Sequence, residues 1–174
     1  VQDNFQAALQ IILGYEGGYS DDPADPGGST QCGVTLNTFS NYLGRQATVA
    51  ELKAITPQQV AAIYRAGYWG ATCDALPSGV DLMFFDAAVN NGPGKAAKLL
   101  QGAVGVTQDG MVGHFTLDAA NASPPLDTIR KMSNARDTFY RSLPAFPTFG
   151  KGWTNRLNSV TARAYDWANT AARA

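Results

Sequence analysis

Histidine is nearly absent, with His114 the only one in 174 residues, and cysteine is limited to Cys32 and Cys73. A lone imidazole argues against the usual histidine-rich metal sites and against a Ser-His-Asp or Cys-His nucleophile. Two cysteines permit one disulfide at most, and two buried thiols are an equal reading. Long apolar runs are missing as well. The longest, Ala7 to Leu13 and Val80 to Phe85, are short and broken by polar residues, so a soluble chain with no stable membrane insertion is expected. No signal peptide is visible. Because the chain opens on Val1, a leader removed upstream is compatible with it, and export stays open. Clusters of Lys and Arg, or basic stripes interleaved with aromatics, are lacking, which argues against nucleic acid as a partner. No metal and no cofactor is expected, and carboxylates remain as the acid–base groups.

A hydrophobic content of 45% in this length supports one main core, so the expectation is a single compact unit spanning 1–174. Within it, Leu76-Pro77-Ser78-Gly79 marks the best internal boundary, between segments 1–75 and 76–174. Charge is distributed unevenly along the chain. Residues 1–87 carry nine acids against three bases, and residues 88–174 carry five acids against ten bases. A solvated surface accounts for either half. The sharper reading turns the basic half toward an anionic polymer such as a bacterial envelope and reserves the acidic half for catalytic carboxylates.

Periodicity points to a mainly α fold. Phe5, Leu9, Ile12, Leu13 and Glu16 fall three or four apart and place one helix from about Asp3 to Tyr15, stopped by Gly17-Gly18. Residues Tyr19 to Thr35 are rich in Gly, Pro, Asp, Ser and Thr, which predicts a polar loop or small β-hairpin. Helical signals follow at Leu36–Leu43, closed by Gly44. Thr48 with Glu51 and Thr56-Pro57 with Gln59 read as capping boxes, the second opening a helix to about Tyr68. Further helices are expected at Val80–Val89 (with Ser78 and Asp81 as cap), Pro93–Ala103, Phe115–Ala120, Leu126–Leu143 and, after Pro144 and Pro147, Thr154–Ala172.

Glu16 is anomalous for an acid. It extends the apolar stripe of its helix and lies near the helix C-terminus, and both burial and the macrodipole favour its protonated form. Such a carboxyl suits the protonation of a leaving glycosidic oxygen. A Glu turned to solvent is the plainer alternative. Asp22 and Asp25 follow in a stretch stiffened by Pro23 and Pro26, where a second carboxylate can return toward the first, as glycoside hydrolysis commonly requires. Asp-Pro pairs are also ordinary turn formers.

Three consecutive motifs, Glu16-Gly17-Gly18-Tyr19, Asp22-Pro23-Ala24-Asp25-Pro26-Gly27-Gly28-Ser29-Thr30 and Gly33-Val34-Thr35, closely resemble the signature of glycoside hydrolase family 108. That family contains phage endolysins and secretion-associated muramidases. The resemblance implies a lysozyme-like helical fold and cleavage of the β-1,4 bond between N-acetylmuramic acid and N-acetylglucosamine in peptidoglycan. It assigns the essential acid to Glu16. Phage lysozymes more broadly place an Asp nine positions after the Glu and a Thr six beyond that. Asp25 fits the first spacing, but Gln31 stands at the second, leaving Thr30 and Thr35 as substitutes. Asp25 is therefore preferred over Asp22 as the base that activates water, with Thr35 or Thr30 positioning that water.

The resemblance continues through Leu52 to Trp69 and Asp86 to Ala96. This second block, with Phe146 to Trp153, looks like the predicted peptidoglycan-binding region that accompanies the catalytic segment. Leu100-Gln101, Gly105-Val106, Asp109-Gly110 and Gly113 to Thr116 echo a wider wall-binding repeat, though a plain helix–turn–helix reads equally well. Candidate sugar contacts are Tyr19, Tyr68, Trp69, Asn90 and Asn91, with core packing the alternative for Tyr68 and Trp69 and helix capping for the asparagines. Trp153 reads as core. A Cys32–Cys73 disulfide would tether the polar loop to the Tyr68-Trp69 segment.

The implied partner is the peptidoglycan glycan strand, met by a monomer at the bacterial wall, in the periplasm or outside the cell. A phage endolysin would first be made in the host cytoplasm. A lytic transglycosylase also needs a Glu acid, and a non-catalytic wall-binding module also suits the basic half.

Overall fold

Short-range capping chemistry sets several of the helix starts. The computed structural model describes residues 4–15, 18, 20 and 29–173. It is mainly α, as expected for a lysozyme-like fold, with one small antiparallel sheet among the described residues. The chain divides into two compact units at Gly67–Tyr68. Phe5–Gly67 is one unit, and Tyr68 onward, with Asn4, is the other.

The smaller unit opens with α1 (Phe5–Leu13), whose Phe5, Ala8, Leu9 and Ile12 are buried. Strands β1 (Thr30–Gln31) and β2 (Val34–Thr35) then pair with Thr30 opposite Thr35 and Gln31 opposite Val34. Cys32 and Gly33 join them at φ 51° and 72°, the two positive values of a tight hairpin turn. Glycine adopts this region freely, whereas Cys32 is strained there. The backbone oxygen of Cys32 accepts a hydrogen bond from the hydroxyl of buried Tyr64 at 3.0 Å, which holds the turn down. Thr35 caps α2 (Leu36–Leu43), and Gly44, at φ 67°, ends it. Both expected capping boxes form, Thr48 with Glu51 at α3 (Val49–Lys53) and Thr56 with Gln59 at α4 (Pro57–Tyr64).

A π-helical turn, Arg65–Trp69, interrupts the helix expected to run to Tyr68 and leads into α5 (Gly70–Asp74). Beyond it, the larger unit is built around α6 (Val80–Asn91), where every residue from Val80 to Ala88 is buried. A helix enclosed on all sides must be wrapped by others. Here α5, α7 (Pro93–Val104), α9 (Pro125–Arg141) and α10 (Phe146–Ala171) supply that shell, and α8 (His114–Ala122) packs on α7 and α9. The start of α10 is a correction to the expected Thr154. Pro147 lies in the first turn, where a missing N–H costs nothing, so it begins the helix instead of delaying it.

The cap of α6 also differs from the expected one. Ser78 does not cap the helix. Its hydroxyl accepts instead from Asn4 Nδ2 at 3.1 Å, and Gly79 occupies the N-cap at φ 86°. Asp81 Oδ1 accepts from the backbone N–H groups of Gly79 and Leu82, each at 2.7 Å, and burial pushes the carboxyl of Asp81 above its ordinary pKa. Gly79 is fixed by two constraints. Its φ favours glycine, and a Cβ there would collide with the carbonyl oxygen of Ala164 and crowd Ile129. Gly79→Ala is therefore expected to lower stability by at least about 2 kcal/mol, read as a drop in the denaturant midpoint at unchanged m-value. A shift within 0.5 kcal/mol would refute the packing argument.

The α7–turn–α8 segment is a helix–turn–helix. Gln101, 1% exposed, knits its turn together. Its Nε2 donates to Asp109 Oδ1 at 2.6 Å and to the Met111 carbonyl at 3.0 Å, while its Oε1 accepts from Gly110 N at 3.0 Å. Among the described residues, no helix is long and apolar enough to cross a membrane.

Candidate functional site

Glu16, Tyr19, Asp22 and Asp25 lie outside the described residues. What the structure supplies is the frame that brackets them in sequence. On one side, α1 closes through Gly14 N to Gln10 O at 3.1 Å and Tyr15 N to Ile12 O at 2.9 Å. On the other, Ser20 bridges Thr30 through two backbone hydrogen bonds, Ser20 N to Thr30 O at 2.9 Å and Thr30 N to Ser20 O at 2.8 Å. Ser20 and Thr30 thus stand side by side.

Across the hairpin, Ser20, Thr30 and Thr35 stand in one cross-strand row. Directly opposite residues of an antiparallel pair share a face, so the two threonines point the same way. Their hydroxyls are not equivalent. Thr35 Oγ1 accepts from Thr38 N at 3.1 Å and donates to Thr38 Oγ1 at 2.9 Å, which commits it to the cap of α2. Thr30 Oγ1 has no such partner among the described residues. Gln31 is on the same strand, where its Nε2 lies 3.8 Å from Cys32 Sγ.

The sugar-contact candidates of the larger unit fare differently from one another. Trp69 is 2% exposed, its ring packed edge-on to Phe85 at 5.2 Å and its Nε1 donating to Asp74 Oδ1 at 2.7 Å. No ring face is open to a sugar, so Trp69 is a core residue and not a cleft one. Tyr68 beside it is half-buried. Neither Cys32 nor Cys73 forms a disulfide. Cys73 is buried with its Sγ 4.0 Å from the Tyr68 carbonyl, and the Cys32–Cys73 tether is not formed.

Asn90 and Asn91 converge on a buried polar network that the sequence reading missed. Tyr140 Oη accepts from Asn90 Nδ2 at 2.7 Å and from Arg136 Nε at 2.7 Å, and it donates to Asn91 Oδ1 at 3.4 Å. Arg136 Nε also reaches Asn91 Oδ1 at 3.1 Å. Behind this lies Asp86, fully buried on α6, with Arg136 Nη1 2.6 Å from its Oδ2 and Arg156 Nε donating to its Oδ1 at 2.9 Å. The first contact is an ion pair without good hydrogen-bond alignment. A signal was present in the sequence. Ile129, Met132, Arg136 and Tyr140 follow one helical stripe, so an arginine there needs a buried acid, and Asp86 sits within the apolar Val80–Val89 run. Trp153, read as core, is only half-buried and packs against Tyr140 at 5.4 Å.

The sequence profile of the family described as Glycosyl hydrolase 108 matches residues 9–92, a span that contains all three motifs, the hairpin and α6. The solved structure titled "Structure of Brucella abortus SagA" aligns with a TM-score of 0.86 at 41% identity, covering 97% of this chain and 97% of that one. Among curated proteins, none matches the chain significantly.

Proposed function

Because the chain belongs to glycosyl hydrolase family 108, we propose that it hydrolyses peptidoglycan at the β-1,4 bond between N-acetylmuramic acid and N-acetylglucosamine. The observation that carries this reading is the ordered run of Glu16, Asp22, Asp25 and Thr30 within the matched residues, completed by a hairpin that sets Thr30 opposite Thr35. Glu16 protonates the leaving oxygen. Asp25, with Asp22 as the alternative, takes a proton from the attacking water. Water positioning falls better to Thr30 than to Thr35, because the Thr35 hydroxyl is already engaged at the start of α2 while that of Thr30 is open among the described residues. The place of action is the bacterial wall, with the glycan strand as partner.

Mass spectrometry of the fragments released from purified sacculi tests the reaction. Hydrolysis leaves reducing muramic acid ends, and these are the expected product. Anhydro-muramic ends would identify a lytic transglycosylase instead. Sacculi that bind the protein yet release no fragments would leave a wall-binding module.

A further inference from the structure

Tyr64, the last residue of α4, is buried, and its hydroxyl donates to the backbone oxygen of Cys32 at 3.0 Å. We propose that Tyr64 is a positioning residue for the reaction. By holding the hairpin turn it sets where the Thr30 hydroxyl stands, and with it the attacking water. The inference rests on the hydrolase reading above and adds to it a residue outside the three motifs.

The hairpin needs such a hold. Its strands, Thr30–Gln31 and Val34–Thr35, have two residues each, and a two-stranded hairpin is marginal by itself in water. Cys32, a non-glycine residue at φ 51°, adds strain at the tip. The base is fixed by backbone bonds, those between Ser20 and Thr30 and that from Leu36 N to Ser29 O at 3.0 Å. These settle the pairing but do not stop the tip from lifting. The Tyr64 hydroxyl opposes that motion by engaging the tip itself. Thr30 lies two residues before Cys32, so a tilt of the turn moves it.

The support behind Tyr64 is firm. A capping box closes the start of α4, and Val60, Ile63 and Tyr64 bury one of its faces. The same helix packs against α1, which ends three residues before Glu16 in sequence. One helix therefore carries both the element that leads to the acid and the tip of the hairpin that bears Thr30. The placement of the Thr30 side chain depends on that hairpin backbone. Reacting groups must be held to within roughly 0.5 Å, and a misplacement of about 1 Å can cost 10²-fold in rate.

Steady-state release of reducing ends from solubilised glycan strands tests the role, at a temperature well below the thermal midpoint of each variant. Tyr64→Phe keeps the ring and removes only the donor. It is expected to lower kcat about tenfold while changing KM less than about twofold, because the water is displaced and the strand is not. A purely structural role would lower the thermal midpoint and leave kcat per folded molecule unchanged. The decisive arm is a cycle with Thr30→Val. If Tyr64 acts through Thr30, Tyr64→Phe should cost less than about twofold in the Thr30→Val background. A 4-aminophenylalanine installed at position 64 still carries a donor and should recover most of the lost kcat. Amide exchange gives a measurement independent of turnover. In Tyr64→Phe the Thr30 N–H should exchange faster, whereas the Val60 N–H, bonded to Thr56 O at 3.0 Å within α4, should not. Unchanged kcat, equal losses in the two backgrounds or unchanged exchange at Thr30 would each overturn the positioning role while the hydrolase reading stands. A parent protein that releases no reducing ends removes both.

Discussion

Replacing Glu16 with Gln is expected to cut the release of reducing ends from peptidoglycan by roughly 10²–10⁴-fold, the usual contribution of a positioned general acid. The amide keeps the volume and hydrogen-bonding reach of the carboxyl but has no proton to give the departing oxygen. Binding should survive, since removal of a proton donor affects the bond-breaking step and not the grip on the strand. That split between lost turnover and retained sedimentation with sacculi distinguishes an acid from a residue that merely shapes the protein. An unfolded variant would lose both. Activity within tenfold of the parent would remove Glu16 from the role its motif gives it. The same assay on Asp25→Asn and Asp22→Asn identifies the second carboxylate, because only the group that activates water should produce a loss of comparable size.

The parts of the fold legible in sequence are those decided within four or five residues. Thr48 with Glu51 and Thr56 with Gln59 specify helix starts by themselves, since each pair satisfies two backbone N–H groups locally. Gly44 ends α2 by taking a left-handed conformation that other residues resist. Illegible features depend on distant partners or on the choice between equivalent local solutions. Ser78 looked like a cap, but Asn4 engages its hydroxyl and Asp81 closes the turn from inside the helix. Pro147 read as a break because a proline stops one helix and starts the next with equal ease, and only packing decides which. The hydroxyl row of the site was half legible. Both threonines were nominated, yet the difference between them depends on Thr38, three residues past Thr35, which no catalytic motif mentions. Trp69 could not be placed by sequence at all, because an aromatic at a helix end packs inward or lines a cleft according to neighbours such as Phe85 and Asp74.

Asp86 is the buried counter-ion of Arg136 in the larger unit, and Asp86→Asn is expected to destabilise it by about 3–5 kcal/mol. Arg136 is 1% exposed, and Asp86 is the only carboxylate within ion-pair distance of it among the described residues. A guanidinium does not shed its proton at any pH where proteins fold. Once the acid is neutralised, Arg136 either stays charged in the interior without its counter-ion or leaves and opens the core around Tyr140. Asparagine nearly preserves the shape of aspartate, so the loss reflects charge and not a cavity. In thermal unfolding the midpoint should fall by about 6–20 °C. A double replacement separates the pair from its surroundings. Arg136→Met alone strands Asp86 less severely, because Arg156 still donates to its Oδ1 at 2.9 Å, but it also severs the bonds from Arg136 to Asn91 and Tyr140. The combination Asp86→Asn/Arg136→Met removes the stranded cation, and its cost should fall short of the sum of the two single costs by about 1 kcal/mol or more. Strictly additive costs would mean that the two charges do not support each other. The role of Asp86 would then be confined to Arg156.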